Sequence, residues 1–215
     1  HPVCGAVVLP FHHGDSGMNP ANLLTLLSAA SAIVGLYSLL LLGGPVATAV
    51  SLTCIGASLI LDRVDGMVAR RLGLSSAMGA QLDSLADLLA FGVLPAAVVV
   101  ARYPGPIVAL LGLLYSLAAV WRLARYDAEE LQVGRWGPAF LGVPTAVAAA
   151  LVISAVTLAD QVPATAGWAE GAAVLLSTLT MPSRLRYPKS GIGAWPWLIS
   201  LPWMILAQWW GLRGG

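Results

Sequence analysis

The chain has 215 residues, of which 58% are hydrophobic and only 10% are charged, and its formal net charge is +1. Soluble domains carry about 25% charged residues and roughly 45–50% apolar ones, so this composition excludes a disordered chain and a nucleic-acid-binding protein with a basic face. The mean hydropathy of +0.82 also argues against a water-soluble globular domain and indicates a polytopic membrane protein.

Apolar stretches follow one another along almost the whole chain. A helix that crosses a membrane needs about 20 mostly apolar residues, and helices satisfy their own backbone hydrogen bonds in lipid. The candidate spans are Pro20–Leu42, Ala47–Leu72, Ala77–Ala101, Pro104–Tyr126, Phe140–Ala159, Thr165–Ser183 and Ala194–Leu212. The sixth is the least apolar, because it contains Glu170. The predicted fold class is therefore all-α, a polytopic transmembrane helical bundle of six to seven spans.

The chain has no internal repeat and no separate soluble domain, and we expect three parts. Residues 1–19 form an N-terminal cytoplasmic segment that is weakly patterned and interrupted by Gly and Pro. Residues 20–189 form the transmembrane domain. Residues 190–215 form a C-terminal segment that is rich in Trp, a residue typical of membrane interfaces. This last segment either spans the bilayer or lies at its surface.

Lys and Arg are distributed unequally between the two ends of the spans. If the connection between the second and third spans lies inside, all but two of the eleven Lys and Arg residues are cytoplasmic, the exceptions being Arg102 and Arg213. Loops on the cytoplasmic side of membrane proteins carry an excess of positive charge. The pattern therefore predicts that this connection and the N-terminus face the cytoplasm.

Four aspartates lie in or near the second and third spans, where apolar residues are expected. Asp62 and Asp65 are close to the cytoplasmic end of the second span, and Asp83 and Asp87 lie within the third. A charged side chain at the centre of a spanning helix costs about 2.5–3.5 kcal/mol on insertion scales, so these residues indicate a functional site. Structural salt bridges with nearby arginines are the alternative, and they would explain one such aspartate better than four.

The spacing of these residues places them on facing surfaces of two helices. Asp62 and Asp65 are three residues apart, and Gly79, Asp83 and Asp87 follow one another at intervals of four, so each set forms one stripe. A short connection makes the two helices antiparallel neighbours, and the carboxylates then face one polar cavity that opens to the cytoplasm. Clustered carboxylates repel one another without a counter-charge. Ligands that are all oxygen favour Mg²⁺, Mn²⁺ or Ca²⁺, and two such ions about 3.5–4 Å apart suit a phosphoryl displacement.

Small residues continue the same stripes. Gly66, Ala69 and Gly79 either allow close helix packing or leave room for a bulky polar ligand beside the carboxylates, which is the interpretation we favour. Arg70, one turn beyond Asp65, is placed to meet a phosphate.

The residues on the two stripes form one long pattern. It reads Asp62-x-x-Asp65-Gly66-x-x-Ala69-Arg70, then eight residues, then Gly79-x-x-x-Asp83-x-x-x-Asp87. This pattern resembles the signature of the CDP-alcohol phosphotransferase family at every position. The resemblance implies a homodimeric membrane enzyme that uses two divalent cations, Mg²⁺ or Mn²⁺, a CDP-linked lipid donor and an alcohol acceptor, and releases CMP. It also implies that Asp62, Asp65, Asp83 and Asp87 are metal ligands, and that Asp87 serves in addition as the general base.

Further stretches resemble one branch of this family, the phosphatidylserine synthases. They are Leu82–Asp87, Arg122–Tyr126, Leu141–Thr145 and Arg186–Lys189. Ser84 and Leu88 differ from the Pro and Lys that are typical of the phosphatidylglycerophosphate branch. The resemblance covers residues 22 to 189 and implies CDP-diacylglycerol and L-serine as substrates. It also implies an integral, multi-pass protein of a prokaryotic cytoplasmic membrane, in contact with membrane lipids, with its active site facing the cytoplasm.

Two sets of residues are expected to bind these substrates. The residues expected on the CDP side are Asn22, Thr25, Gly66, Ala69, Arg70 and Gly79. Arginine pairs bidentately with carboxylates and phosphates, so one or two of the cytoplasmic basic residues should bind the serine carboxylate or the donor phosphates. The candidates are Arg122, Arg125, Arg184, Arg186 and Lys189. Each of them could instead anchor the protein to lipid headgroups.

Two other functions stay open at this point. Within the family, the acceptor could be glycerol phosphate, an inositol derivative or choline. Carboxylates in a helical bundle also occur in transporters of protons or divalent cations. A transporter would need polar residues along a path to the outer face, whereas Val93–Val100 is apolar, and it would favour an inverted repeat of the acidic pair, which the chain lacks.

Overall fold

A computed structural model of the protein describes residues 19–74, 76–133, 139–183, 186–188, 205–206 and 208–209. In chain order, the helices are α1 (Pro20–Leu41), α2 (Gly44–Leu72), α3 (Ala77–Asp87), a π-helical turn (Leu88–Val93), α4 (Leu94–Arg102), α5 (Pro106–Val133), α6 (Thr145–Gln161), a 3₁₀ turn (Pro163–Thr165) and α7 (Trp168–Thr180). Strands β1 (Ala139–Leu141) and β2 (Arg186–Pro188) form a short antiparallel ribbon, with Ala139 opposite Pro188 and Leu141 opposite Arg186. The all-α fold class is confirmed, since the described strands have only three residues each.

Four helices are long and apolar enough to cross a membrane. They are Pro20–Leu41, Gly44–Leu72, the continuous helix Ala77–Arg102 and Pro106–Ala128. The chain is therefore an integral membrane protein with several spans. α6 is apolar but has 17 residues, and α7 has 13; at about 1.5 Å per residue, α7 is shorter than a hydrocarbon core of about 30 Å. Most of Ala194–Leu212 lies outside the described residues, so the total of six to seven spans stays a prediction.

The connection between α2 and α3 is short because both helix ends carry clear signals. Gly73 ends α2 in the left-handed conformation, with φ of 64°, which favours glycine. Ser76 begins α3, where its side chain accepts a hydrogen bond from the backbone N–H of Gly79 at 3.0 Å. α1 packs against both helices, and it begins beside their connection with Asn19, which caps it and accepts from the N–H of Asn22 at 2.8 Å.

A π-helical turn directly follows Asp87. Proline at position 95 has no backbone N–H to offer the carbonyl of Phe91, four residues earlier. The hydroxyl of Tyr115 in α5 donates to this carbonyl at 2.9 Å, and Ser116 donates to the carbonyl of Gly92, also at 2.9 Å. A Cβ at Gly92 would lie 2.9 Å from that of Ala119, so glycine lets α5 approach closely. α5 is thereby held against the segment next to Asp87.

Short polar side chains join α1 to α2 in the bundle interior. Ser51 donates to the carbonyls of Gly35 and Ala47 at 3.0 and 2.8 Å, and Ser58 donates to the carbonyl of Ser28 at 3.1 Å. Small residues that exchange such bonds are typical of helix contacts in membranes. This contact brings the start of α1 alongside the second half of α2, which carries Asp62 and Asp65.

The described residues near the C-terminus pack on α2. A Cβ at Gly56 would lie 2.6 Å from Cδ1 of Ile205, so glycine makes room for this side chain. The indole N–H of Trp209 donates to Thr53 at 3.0 Å, and Gln208 donates to Asp160 at 2.5 Å. Residues 205–206 and 208–209 therefore follow α2 in the antiparallel direction, toward the end of the bundle where α6 ends.

Candidate active site

Three of the four aspartates converge between α2 and α3. One carboxylate oxygen from each of Asp62, Asp83 and Asp87 lies within 4.8 Å of the other two, and all three residues are partly exposed. We call these three residues the aspartate site. Asp83 and Asp87 lie one turn apart on α3, and the short α2–α3 connection turns Asp62 toward them. The predicted opposition of the two acidic stripes is therefore present for these three residues.

Asp65 lies next to the aspartate site but has a different environment. It is buried, and its Oδ2 accepts a hydrogen bond of 2.7 Å from the hydroxyl of Thr25 in α1. Thr25 is buried as well and also contacts the carbonyl of Ala21 at 3.1 Å. Asp65 is not one of the three aspartates that lie within 4.8 Å of one another, and its predicted role as a metal ligand stays a prediction.

The residues expected on the CDP side lie around this site. Asn22 is buried, and a Cβ at Gly79 would lie 3.0 Å from its Oδ1. A Cβ at Gly66 would lie 3.2 Å from Nη1 of Arg70. Because glycine has no side chain, Gly79 leaves space for Asn22 and Gly66 leaves space for Arg70. The structure brings Asn22 to Gly79, Thr25 to Asp65 and Arg70 to Gly66, and Ala69 is half-buried on the same helix.

Arg122 is a buried arginine whose charge acts on the site. It lies on α5, is 7% exposed, and its charge acts on Asp87. Its Nη1 donates weakly to Thr145 at 3.4 Å. Its Nε is buried and has no hydrogen-bond partner in the part of the chain that the structure describes. A buried guanidinium with an unused donor is an expected feature of a site that binds an anion.

The other basic residues that were predicted to bind substrate have surroundings different from those of Arg122. Arg125 donates to the carbonyls of Pro182 and Ser183, at 3.0 and 3.2 Å, and so holds the chain that follows α7. Arg186 lies in β2, opposite Leu141 of β1. Arg184 and Lys189 lie outside the described residues. Their predicted roles in binding substrate stay predictions.

One polar pair beside the site was not among the predicted site residues. Ser84 of α3 donates to Oδ1 of Asp127 of α5 at 2.9 Å. The sequence contained a partial signal for this pair. Helices joined by a short turn run antiparallel, which places residue 127 of α5 near the level of residue 84 of α3. Helix periodicity alone does not show how far apart two such helices lie.

The chain belongs to the CDP-alcohol phosphatidyltransferase family, whose model matches residues 18–180. Several similar proteins carry the name CDP-diacylglycerol–serine O-phosphatidyltransferase. One from Mycobacterium leprae is 40% identical over 123 residues, which are 55% of this chain and 40% of that protein. One from Bacillus subtilis is 41% identical over 93 residues, which are 42% of this chain and 50% of that protein. One from Methanocaldococcus jannaschii is 30% identical over 139 residues, 65% of this chain and 64% of that protein. The match with the mycobacterial protein spans less than half of its length.

Proposed function

We propose that this protein transfers the phosphatidyl group of CDP-diacylglycerol to the hydroxyl of L-serine, giving phosphatidylserine and CMP. The observation that carries the proposal is the convergence of Asp62, Asp83 and Asp87 within 4.8 Å in a chain of this family. The names of the similar proteins support CDP-diacylglycerol and serine as the substrates.

The donor set of the aspartate site fits a hard divalent cation. It offers only carboxylate oxygens, and Mg²⁺ and Mn²⁺ prefer such ligands. In the proposal, Asp62, Asp65, Asp83 and Asp87 hold two ions. Such ions act as Lewis acids that polarise phosphoryl oxygens and stabilise charge on a leaving nucleotide. The oxygen separation of up to 4.8 Å leaves room for a cation among the three aspartates.

Asp87 is proposed as the general base. A serine hydroxyl is a weak nucleophile at neutral pH, so a positioned base is required. The serine oxygen forms a bond to the phosphorus that carries diacylglycerol, and the bond from this phosphorus to the bridging oxygen breaks. CMP leaves with that oxygen, and the hydroxyl proton passes to Asp87. No covalent enzyme intermediate is needed.

The substrates are proposed to lie on two sides of the aspartate site. The donor nucleotide lies on the α1 side, against Asn22, Thr25, Gly66, Ala69, Arg70 and Gly79. The acceptor lies on the α5 side, where Arg122 meets the serine carboxylate with the Nε that has no partner among the described residues. In this arrangement the acceptor reaches Asp87 from the side opposite the nucleotide.

The site is proposed to face the cytoplasm of a prokaryotic cell. The excess of Lys and Arg at the end of the bundle that holds the α2–α3 connection supports this orientation. We further propose that the protein acts as a homodimer, as the family resemblance implies.

The transporter alternative is less well supported. Between Asp87 and Arg102, every residue of the continuous helix is apolar or glycine, and Phe91 and Leu94 in this stretch are fully buried. A proton or cation path through the bundle would need polar groups at that depth. The experiment below distinguishes L-serine from the other acceptors within the family.

The test is release of CMP from CDP-diacylglycerol by the purified full chain, with Mn²⁺ or Mg²⁺. One acceptor is supplied at a time: L-serine, glycerol 3-phosphate, inositol phosphate or choline. We expect release that requires both metal and L-serine and is lost in Asp87→Asn, but kept in the control Asp160→Asn. Release with a different acceptor would overturn the serine assignment and leave the reaction type standing. No metal-dependent release with any acceptor would overturn the enzyme proposal.

A further inference from the structure

The start of α6 lies against Arg122 of α5. Nη1 of Arg122 is 3.4 Å from the hydroxyl oxygen of Thr145, the first residue of α6. Both side chains are buried, with 7% of Arg122 and 1% of Thr145 exposed. The charges of Arg122 and Asp87 act on each other, and α6 packs against the π-helical turn that follows Asp87. Arg122 therefore links the start of α6 to the proposed base.

The connection before α6 fixes the place where this helix begins. Gly142 has a φ of 78°, and a Cβ there would overlap the carbonyl oxygen of Met181. The backbone N–H of Val143 donates to the carbonyl of Thr180 at 3.3 Å. Pro144 then precedes the helix and has no side-chain oxygen that could cap its first turn. The start of α6 is thus held against the end of α7, and no described side chain caps it.

Two positive groups meet at this place. Aligned peptide dipoles give the N-terminus of an α-helix a partial positive charge, which makes a nearby cation unfavourable, and α6 has 17 residues. Arg122 adds a full positive charge that is more than nine-tenths buried, and its Nε has no hydrogen-bond partner among the described residues. Helix N-termini and arginine both bind carboxylates and phosphates. The arrangement therefore indicates a site for a bound anion.

The position of this site favours the carboxylate of the acceptor. The donor nucleotide is proposed to lie on the α1 side, whereas Arg122 acts on Asp87 from α5. L-Serine carries its carboxylate on the carbon next to the one that bears the hydroxyl, so a hydroxyl at Asp87 places the carboxylate close by. One edge of a guanidinium offers Nε and one Nη to a carboxylate as parallel donors, and the other Nη is then left for Thr145.

We propose that Arg122 and the start of α6 form one site for the carboxylate of the acceptor. In this site, Thr145 holds Nη1 of Arg122 and so keeps Nε directed toward the acceptor. Thr145 is a positioning residue, since it acts through Arg122. This inference rests on the proposed function, because it assumes that L-serine is the acceptor and that Asp87 takes its hydroxyl proton.

The test measures KM and kcat for L-serine and L-serinamide with the purified full chain, at saturating CDP-diacylglycerol and Mn²⁺. L-Serinamide keeps the hydroxyl and the amino group of L-serine but has a neutral amide in place of the carboxylate; if it is not turned over, its inhibition constant against L-serine is compared instead. We expect Thr145→Val to raise the KM for L-serine about three- to tenfold. The value for L-serinamide, kcat, and the KM for CDP-diacylglycerol should stay within about twofold of the wild type.

Three further variants complete the comparison. Thr145→Ser keeps the hydroxyl and should return the KM for L-serine to within about twofold of the wild type. Arg122→Gln removes the charge itself and should raise this KM about 10- to 100-fold. Thr157→Val is the matched control, because Thr157 is another buried threonine of α6 whose hydroxyl donates within the helix, to the carbonyl of Ile153 at 3.0 Å. It should leave both KM values unchanged.

An unchanged KM for L-serine in Thr145→Val, with an active wild type, would overturn this inference and leave the proposed function standing. Equal rises for L-serine and L-serinamide would also overturn it, because they would indicate a merely structural role. A rise only in the KM for CDP-diacylglycerol would overturn it by assigning the anion site to the donor phosphates. If Thr145→Val does not fold, an unchanged KM for L-serine in Arg122→Gln overturns the inference instead. A wild type that releases CMP only with another acceptor overturns the serine proposal and this inference together.

Discussion

Charged side chains cluster in two separate regions of this bundle, and their charges are compensated differently in the two. Where α4 and α6 end, Arg102 pairs with Asp160 at 2.5 Å and lies 3.7 Å from Glu170. Glu170 is fully buried, yet it accepts from the Tyr103 hydroxyl at 3.0 Å and from the N–H of Gly167 at 2.8 Å. We call this set the Arg102 network.

The aspartate site differs from the Arg102 network because three carboxylates lie together there. One carboxylate oxygen from each of Asp62, Asp83 and Asp87 lies within 4.8 Å of the other two. Arg122 acts on Asp87, and Arg63 and Arg70 act on Asp62, but the carboxylates also repel one another. Because clustered like charges in a medium of low dielectric constant are costly, we infer that the Arg102 network stabilises the fold, and we propose that a bound cation completes the aspartate site.

The largest expected effect is on activity, in Asp87→Asn. Loss of the base costs about 10²–10⁴-fold in rate, and loss of a metal ligand adds to it, so we expect CMP release to fall by about a thousandfold or more. The free energy of unfolding without metal should not fall, because one of three mutually repelling charges is gone. An assay of CMP release and thermal unfolding in detergent measure the activity and the stability. Retention of about a tenth of the wild-type activity would contradict a role for Asp87 as the base.

Glu170→Ala should lower the stability and leave the activity unchanged, which is the opposite of Asp87→Asn. Breaking a buried ion pair by removing one partner costs about 3–5 kcal/mol, and Tyr103 and Arg102 would lose their contact with Glu170. We expect a lower free energy of unfolding of about this size, with CMP release per folded molecule close to wild type. Thermal unfolding alongside the activity assay provides the measurement. A large loss of activity with unchanged stability would show that the two regions are coupled.

Metal should stabilise the protein only through the aspartate site. A ligand present at a hundred times its Kd stabilises the folded state by about 2.7 kcal/mol. We expect Mn²⁺ to raise the unfolding temperature of the wild type and of Glu170→Ala, but not of Asp83→Asn. The same increase in all three proteins would place the cation somewhere else.

The smallest expected effect concerns Thr25→Val, which removes the hydrogen bond to Asp65. A hydrogen bond to a charged group contributes about 1.5–3 kcal/mol, so we expect a drop in stability of about this size and weaker activation by Mn²⁺. The matched control is Ser31→Ala, which also removes an α1–α2 bond, to the carbonyl of Cys54 at 3.2 Å, but does not touch a carboxylate. Equal behaviour of the two variants would argue against a special role for Thr25.

Much of the fold could be predicted from the sequence because the apolar run and the capping residues that define a membrane helix lie within one short stretch of chain. The predicted starts at Pro20 and Ala77 coincide with the starts of α1 and α3, since the residues before them, Asn19 and Ser76, cap the helices. α7 was harder to predict. Thr165–Ser183 has the apolar composition of a span, but its helix covers only Trp168–Thr180, because Pro163 and Gly167 place turns at its beginning.

The candidate site was predictable in part for a related reason. Asp62, Asp83 and Asp87 were placed together correctly, because helical periodicity and one short turn determine which residues face each other across two adjacent helices. The bond between Ser84 and Asp127 joins side chains 43 positions apart, and its length depends on how closely α5 approaches α3. That approach depends in turn on Gly92 and on the hydrogen bond that the Tyr115 hydroxyl donates to the carbonyl of Phe91.

The sequence by itself determined the membrane class, the helix order and the acidic pattern of the family, because hydropathy, capping and spacing act over a few turns of one chain segment. Only the tertiary structure decided which charges are compensated. It paired Glu170 with Arg102 and Tyr103 and joined Thr25 to Asp65, and among the residues that it describes it left Nε of Arg122 without a partner. The physical reason is that compensation of a buried charge depends on distances of a few ångströms between helices, which are set by packing of the whole bundle.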